Sequence, residues 1–326
     1  MQNLQDIKLA VLIDGDNASA SKVKELFEEI AKFGIANVKR IYGDWSSQNL
    51  QSWKDKLYDF AIIPVQQFNY TPGKNATDMQ LIIDAMDLLN EAPLDGFCIV
   101  SSDSDFTPLV SRLRQSGKTV YGFGKKQTPN ALIKACNKFI YIENLGLSDT
   151  NSNLENKTSA QTQTSTSTQP ATQHPKLPQN TWQELDDKTK TLLYTAIKAT
   201  SDEDTGWAYV SDIRNYISAI KSDFDPRDYG YAKISNMLKT LNNLQFKTDN
   251  LNRMYCKKIP LGKLYSILRA LPDSYKDENG WIKIDDRLDQ LINASWNYKQ
   301  YDLSFYEALQ KLYNVEMKDN KIKLTV

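Results

Sequence analysis

Phe97-Cys98-Ile99-Val100-Ser101-Ser102-Asp103-Ser104-Asp105-Phe106 is the stretch whose reading decides the fold. Its first four residues are an unbroken apolar run, as expected of a strand buried on both faces of a parallel sheet. The run halts at two serines and two aspartates, after which Phe106, Leu109, Val110 and Leu113 recur at helical spacing. Two carboxylates therefore stand between a buried strand and a helix, at the edge where open α/β sheets bind ligands. For one such Asp alone, a helix cap is the plain role. The pattern recurs, however. Leu9-Ala10-Val11-Leu12-Ile13 is a second buried run and ends in Asp14-Gly15-Asp16-Asn17, while Asp78 opens the helical pattern ahead of the Phe97 strand. Three acidic clusters converging on one sheet edge point to a divalent cation site.

Outward from that stretch, the first 147 residues alternate strand and helix patterns. Strands are predicted at Lys8–Ile13, Val38–Tyr42, Phe60–Val65, Phe97–Val100, Thr119–Phe123 and Phe139–Ile142. Helices are predicted between them at Ala20–Phe33, Gln48–Tyr58, Asp78–Leu89, Phe106–Gln115 and Asn130–Cys136. This alternation predicts an α/β fold, a doubly wound and mainly parallel sheet covered on both faces. Residues 148–180, with a run such as Gln161-Thr162-Gln163-Thr164-Ser165-Thr166, have little to bury and read as a flexible polar linker. Such a coil spans roughly 30 Å root-mean-square. Beyond it lies an internal repeat: Gly206-Trp207 is answered by Gly280-Trp281, and Phe224 through Tyr229 by Trp296 through Tyr301. Each copy orders helix, Gly-Trp turn, two helices and a terminal hairpin, which predicts a winged helix-turn-helix at 181–259 and a divergent one at 260–326.

Composition narrows the chemistry. The 326 residues balance 40 basic against 40 acidic side chains, so no global field advertises nucleic acid and any such binding must be local. No apolar run approaches the roughly 20 residues that cross a bilayer, and the first residues show no secretory leader. Three scattered cysteines match neither disulfide nor zinc spacing, so a reducing cytoplasm is expected. The single histidine, His174, lies in the linker. Paired-histidine ribonuclease chemistry and histidine-ligated metal are thereby excluded. Catalysis has to rest on carboxylates and a hard ion, Mg²⁺ or Mn²⁺, which orients a water and offsets charge on a scissile phosphate. Asp14, Asp78 and Asp103 are the leading candidates to hold it, with Asp105 and Asp16 for a second ion or for positioning water. Asn17, Thr77, Ser101 and Ser102 suit phosphate contact or support of the carboxylates.

Leu12-Ile13-Asp14-Gly15-Asp16-Asn17, Asn75-Ala76-Thr77-Asp78 and Val100-Ser101-Ser102-Asp103-Ser104-Asp105-Phe106 together resemble the NYN domain. This is the PIN-like nuclease group that includes the LabA/DUF88 proteins. The resemblance covers residues 7–145 and implies a PIN-like fold at 1–147 and metal-dependent cleavage of RNA. Matched residue by residue, it implies Asp14, Asp78, Asp103 and Asp105 as metal ligands and catalytic groups. Some domains of the group bind without cutting, and a non-catalytic RNA-binding adaptor is the alternative of a different class. A haloacid-dehalogenase-type phosphatase would use Asp14-Gly15-Asp16-Asn17 as its nucleophile motif, but that scheme gives Asp78 no task.

In the tail, Gly206-Trp207-Ala208-Tyr209-Val210 and Phe224-Asp225-Pro226-Arg227-Asp228-Tyr229-Gly230 resemble the OST-HTH/LOTUS domain over residues 184–258. That resemblance implies a winged-helix module that binds RNA, G-rich or quadruplex RNA in some members, and a protein partner in others. Arg227, Lys233 and Lys239 are the candidate phosphate contacts. Trp207, Ile213, Phe224, Tyr229, Leu238 and Phe246 are expected to build the core. The second copy keeps the Gly-Trp pair but replaces Tyr229-Gly230 with Tyr301-Asp302, which leaves its role open between RNA and protein contact. A homo-oligomer is equally open.

Overall fold

The six apolar runs form six strands: β1 (Lys8–Asp14), β2 (Ile35–Gly43), β3 (Ile63–Gln66), β4 (Gly96–Val100), β5 (Thr119–Gly124) and β6 (Lys138–Tyr141). They make one sheet in the order β3-β2-β1-β4-β5-β6, and every neighbouring pair is parallel. The connections therefore wind outward in both directions from β1 and β4, and the order reverses between those two strands. That reversal opens a crevice at their carboxyl ends. The structure, a computed structural model, describes residues 7–68, 76–147 and 185–325, so the expected linker at 148–180 lies outside the described residues.

Both faces of the sheet are covered, which is why its central strands read as continuous apolar runs. Leu9, Val11 and Ile13 of β1 pack against Val23, Leu26 and Ile30 of α1 (Val23–Ile30) and against Leu50 and Trp53. Ala10 and Leu12 share the opposite face with Leu81 and Ala85 of α3 (Ala76–Glu91) and with Leu109 and Leu113 of α4 (Thr107–Gln115). Each of the buried Leu, Ile and Val side chains contributes roughly 1.5–3 kcal/mol by leaving water. The remaining helices of this part are α2 (Lys54–Phe60) and α5 (Asn130–Ala135). Three helical patterns open with a 3₁₀ turn, at Ala20–Lys22, Gln48–Trp53 and Ser104–Phe106, because a tighter turn redirects the chain off a strand before the regular helix begins.

The chain divides into two units, Met1–Glu184 with Ile217–Ala232, and Leu185–Tyr216 with Lys233–Val326. The tail runs α6 (Asp187–Thr200), β7 (Ala208–Tyr209), α7 (Val210–Ile220), α8 (Ile234–Lys239), β8 (Leu244–Thr248) and β9 (Met254–Lys258). The last turn of α7 is counted with the first unit. The order is then repeated by α9 (Leu261–Arg269), β10 (Ile282–Lys283), α10 (Asp286–Ser295), α11 (Phe305–Gln310), β11 (Val315–Lys318) and β12 (Lys321–Leu324). The two three-stranded sheets, β7-β9-β8 and β10-β12-β11, have the same topology, consistent with winged-helix modules. The Phe224 and Tyr229 rings lie 5.8 Å apart between centres, and Trp296 and Tyr301 lie at the same distance. Gly230 and Asp302 occupy matching left-handed positions, φ 80° and 52°, after those tyrosines. Of the expected core residues, Ile213, Phe224 and Leu238 are buried, whereas Trp207, Tyr229 and Phe246 are only half-buried.

Candidate active site

Ile13 pairs with Val100 across the β1–β4 junction, so the residues that follow, Asp14 and Ser101, emerge side by side. Asp14 is completely buried. Its Oδ2 accepts hydrogen bonds from Ser101 Oγ and from Asn17 Nδ2, each at 2.7 Å. Ser101 Oγ in turn accepts from the Asp103 backbone N–H at 3.0 Å, tying the two strand ends into one network. The glycine of Asp14-Gly15-Asp16 has a steric reason. Its N–H donates to the Tyr42 carbonyl at 2.9 Å, and a Cβ there would lie 2.7 Å from that oxygen.

Asp103 also performs the plain role foreseen for it, since its Oδ1 accepts from the Asp105 N–H at 2.9 Å and caps the turn leading into α4. Ser102 Oγ accepts from the Lys125 N–H at 2.9 Å. Asp78 stands in the first turn of α3 and is half-buried, and the neighbouring Thr77 is buried. Asp16, Asn17 and Asp105 are exposed at the rim.

Electrostatics show that these acids converge. The Asp78 carboxyl is pushed up to about 6, first by burial and then by the charges of Asp14, Asp103, Asp105 and Asp16. Burial likewise raises Asp14, and the bonds from Ser101 and Asn17 offset only part of that rise. Oxygen donors with excess negative charge are the donor set that hard divalent ions prefer. Among the described residues, no three carboxylate, histidine or cysteine groups close into a finished metal-binding cluster. The acids therefore share a crevice and repel one another across it without meeting at a point.

The sequence reading missed a supporting network. Asp84 of α3 accepts hydrogen bonds from the Arg40 guanidinium and the Tyr42 hydroxyl of β2, anchoring the helix whose first turn carries Asp78. Its signal was present: Asp84 interrupts the apolar spacing of Leu81, Ala85 and Leu88. Arg227, a candidate RNA contact, is engaged elsewhere. Within the first unit its guanidinium pairs with Asp225 at 2.6 Å and Glu29 at 3.0 Å, and only 12% of its side chain is exposed. Lys233 and Lys239 are exposed at the start and end of α8.

Comparison with known families agrees with this fold. Residues 8–143 match the family model of the NYN domain, and residues 180–256 match that of the OST-HTH/LOTUS domain. The chain carries an NYN domain followed by a LOTUS domain. NYN domains are nucleases and LOTUS domains bind RNA. Nucleases of the NYN and PIN-like type typically use divalent metals. The uncharacterized protein MJ0482 of Methanocaldococcus jannaschii is 26% identical over 121 residues, which is 36% of this chain and 47% of that protein. The chain thus aligns with about half the length of that relative. A crystal structure of the Vibrio parahaemolyticus protein of unknown function VPA0982 is 19% identical, with a TM-score of 0.37, covering 44% of this chain and 96% of that one. An NMR structure of an uncharacterized protein from locus NE0665 of Nitrosomonas europaea is 27% identical, with a TM-score of 0.21, covering 30% of this chain and 91% of that one. Among the described residues, no helix is long and apolar enough to cross a membrane.

Proposed function

We propose that the NYN domain is a divalent-metal-dependent ribonuclease whose working groups are Asp14, Asp78, Asp103 and Asp105, served by Mg²⁺ or Mn²⁺. The observation that carries this reading is the emergence of Asp14 and Ser101 side by side at the β1–β4 edge, bonded to each other and through Ser101 to Asp103, with Asp78 pushed up first by burial and then by the neighbouring aspartates. A bound ion would supply an activated water and neutralise charge building on the scissile phosphate. The chain's own groups do the rest. Ser101 and Asn17 fix the orientation of the Asp14 carboxylate. The Asp84 bonds to Arg40 and Tyr42 hold α3, and with it Asp78, in register with β2. Asp16, Thr77 and Ser102 line the approach as positioning groups. The LOTUS domain selects RNA, with Lys233 and Lys239 as phosphate contacts and Arg227 joining them only where its ion pairs open. The three free cysteines, all buried, fit a reducing compartment such as the cytoplasm.

The test is single-turnover cleavage of an end-labelled single-stranded RNA by the full chain in Mn²⁺, in Mg²⁺ and in excess chelator. Cleavage should require the ion, and Asp103→Asn should slow it about a thousandfold or more while leaving the thermal melt in place. Undiminished cutting in chelator would remove the metal from the account. The absence of a closed donor cluster among the described residues favours one second reading, an RNA-binding adaptor with a vestigial acidic crevice. That reading is the outcome if no divalent ion supports cleavage although RNA is bound.

A further inference from the structure

The outward face of the first wing sheet carries a built arrangement of rings and lysines. In β7 and β9, Ala208 pairs with Cys256 and both are fully buried, so the alternate residues Tyr209 and Tyr255, which pair with each other, face away from the core. Lys247 of β8 pairs with Tyr255 and shares that face. The Tyr209 and Tyr255 rings lie 5.3 Å apart. Lys247 Nζ sits 4.2 Å from the centre of the Trp207 ring and 5.6 Å from that of Tyr255. Lys257 Nζ lies 6.0 Å from Trp207. Trp207, Tyr209 and Tyr255 are half-buried, and each keeps part of its surface in solvent. Gly206, at φ 70°, supplies the left-handed turn that delivers Trp207 to this face.

We propose that this face is a stacking platform for single-stranded RNA, with bases on Trp207 and Tyr255 and phosphates on Lys247 and Lys257. The proposal rests on the reading of the LOTUS domain as an RNA binder and adds the wing, as the surface that holds the bases, to the phosphate contacts of helix α8. The charge is complementary, since the two lysines lean on rings rather than on carboxylates. A lysine above an exposed ring is held weakly and occupies the place a base would take. Base stacking on the same ring is the stronger interaction, so the lysine swings aside to the phosphate that enters with the base. A duplex hides its base faces, and the platform has nothing to offer it beyond charge.

The second copy isolates the stacking element. Lys323 lies 6.0 Å from the Trp281 ring, as Lys257 does from Trp207. By the matching registers, Lys283 and Lys321 hold the places of Tyr209 and Tyr255. That wing keeps the lysine-on-tryptophan pair and loses the tyrosine pair, so its stacking surface is reduced to the Trp281 ring and should hold single-stranded RNA more weakly.

The experiment uses the full chain in excess chelator, so that nothing is cut, with a fluorescein-labelled unstructured RNA 12-mer read by anisotropy at several NaCl concentrations. Tyr255→Leu and Trp207→Leu should each weaken binding about tenfold or more with little change in salt slope, and Tyr255→Phe should restore it. The pair Lys247→Ala and Lys257→Ala should flatten the salt slope by about 1.4. Thermal melts separate these effects from misfolding, and Tyr255→Phe keeps the test decisive if Trp207→Leu does not fold. Wild-type affinity in every wing variant would overturn the proposal, as would equal binding of the duplex form of the same RNA. RNA affinity lost only with Lys233→Ala and Lys239→Ala, or a protein ligand bound at this face in place of RNA, would also overturn it. Because metal is absent, these outcomes are independent of whether the NYN domain cuts.

Discussion

The acidic crevice of the NYN domain and the wing face of the LOTUS domain are opposite solutions to one problem. In the crevice, burial raises the cost of charge on Asp78, and the charges of Asp14, Asp103, Asp105 and Asp16 add to it. On the wing, lysines gather over aromatic rings in a half-exposed setting where their charge costs little. Each place holds like charge in excess, and each is complementary to a different occupant: a small hard cation in one, a flexible polyanion in the other. A third cluster gives the contrast its scale. Glu29 and Asp225 are less buried than Asp14 but more buried than the other crevice acids, and they are paired with Arg227.

The paired cluster should respond most strongly. Arg227→Ala leaves Asp225 buried without its cation and Glu29 with Lys32 alone, and should cost about 3 kcal/mol of stability in urea unfolding. Burial pushes both carboxyls up, but the Arg227 bonds bring them below their ordinary values. Their contribution is therefore present above the unfolded pKa values near 4 and lost as pH falls through the lower folded values. A loss under 1 kcal/mol would mean that the pair is open in solution and that Arg227 is free for RNA.

The crevice should respond with the opposite sign. In metal-free protein, Asp78→Asn removes repulsion and should stabilise the fold by about 1 kcal/mol at pH 8, after allowance for solvent screening. The sign follows from a raised folded pKa: the charged form is penalised above about 6, and the gain fades as pH falls from about 6 towards 4. Destabilisation at pH 8, read by thermal melts in chelator, would mean that Asp78 has a partner and that the cluster is not self-repelling. The smallest effect is expected in the second wing, where Trp281→Leu should change RNA affinity by no more than about twofold, or ~0.4 kcal/mol. A tenfold loss there would erase the difference between the copies.

Much of this was legible because local pattern and tertiary role coincide. Leu9–Ile13 and Phe97–Val100 are apolar throughout because both faces of the sheet are covered, and the acids that follow them had to emerge at the edge. The starts of α1 and α4 were not legible, since Ala20 and Phe106 keep helical spacing while sitting in 3₁₀ turns. The Arg40–Asp84 pair joins residues 44 positions apart, and nothing local to β2 announces it. Trp207, expected in the core, is half-buried. The alternation Trp207-Ala208-Tyr209 against Tyr255-Cys256-Lys257 carried that message, because its small central residues are the ones turned inward.

Whether the crevice acids hold a cation is decided by Mn²⁺ titration followed by electron paramagnetic resonance. The wild-type chain should bind Mn²⁺, whereas Asp14→Asn and Asp78→Asn, folded by their melts, should bind it at least tenfold more weakly. Equal Mn²⁺ affinity in wild type and both variants, or no binding at all by the wild type, would contradict the account.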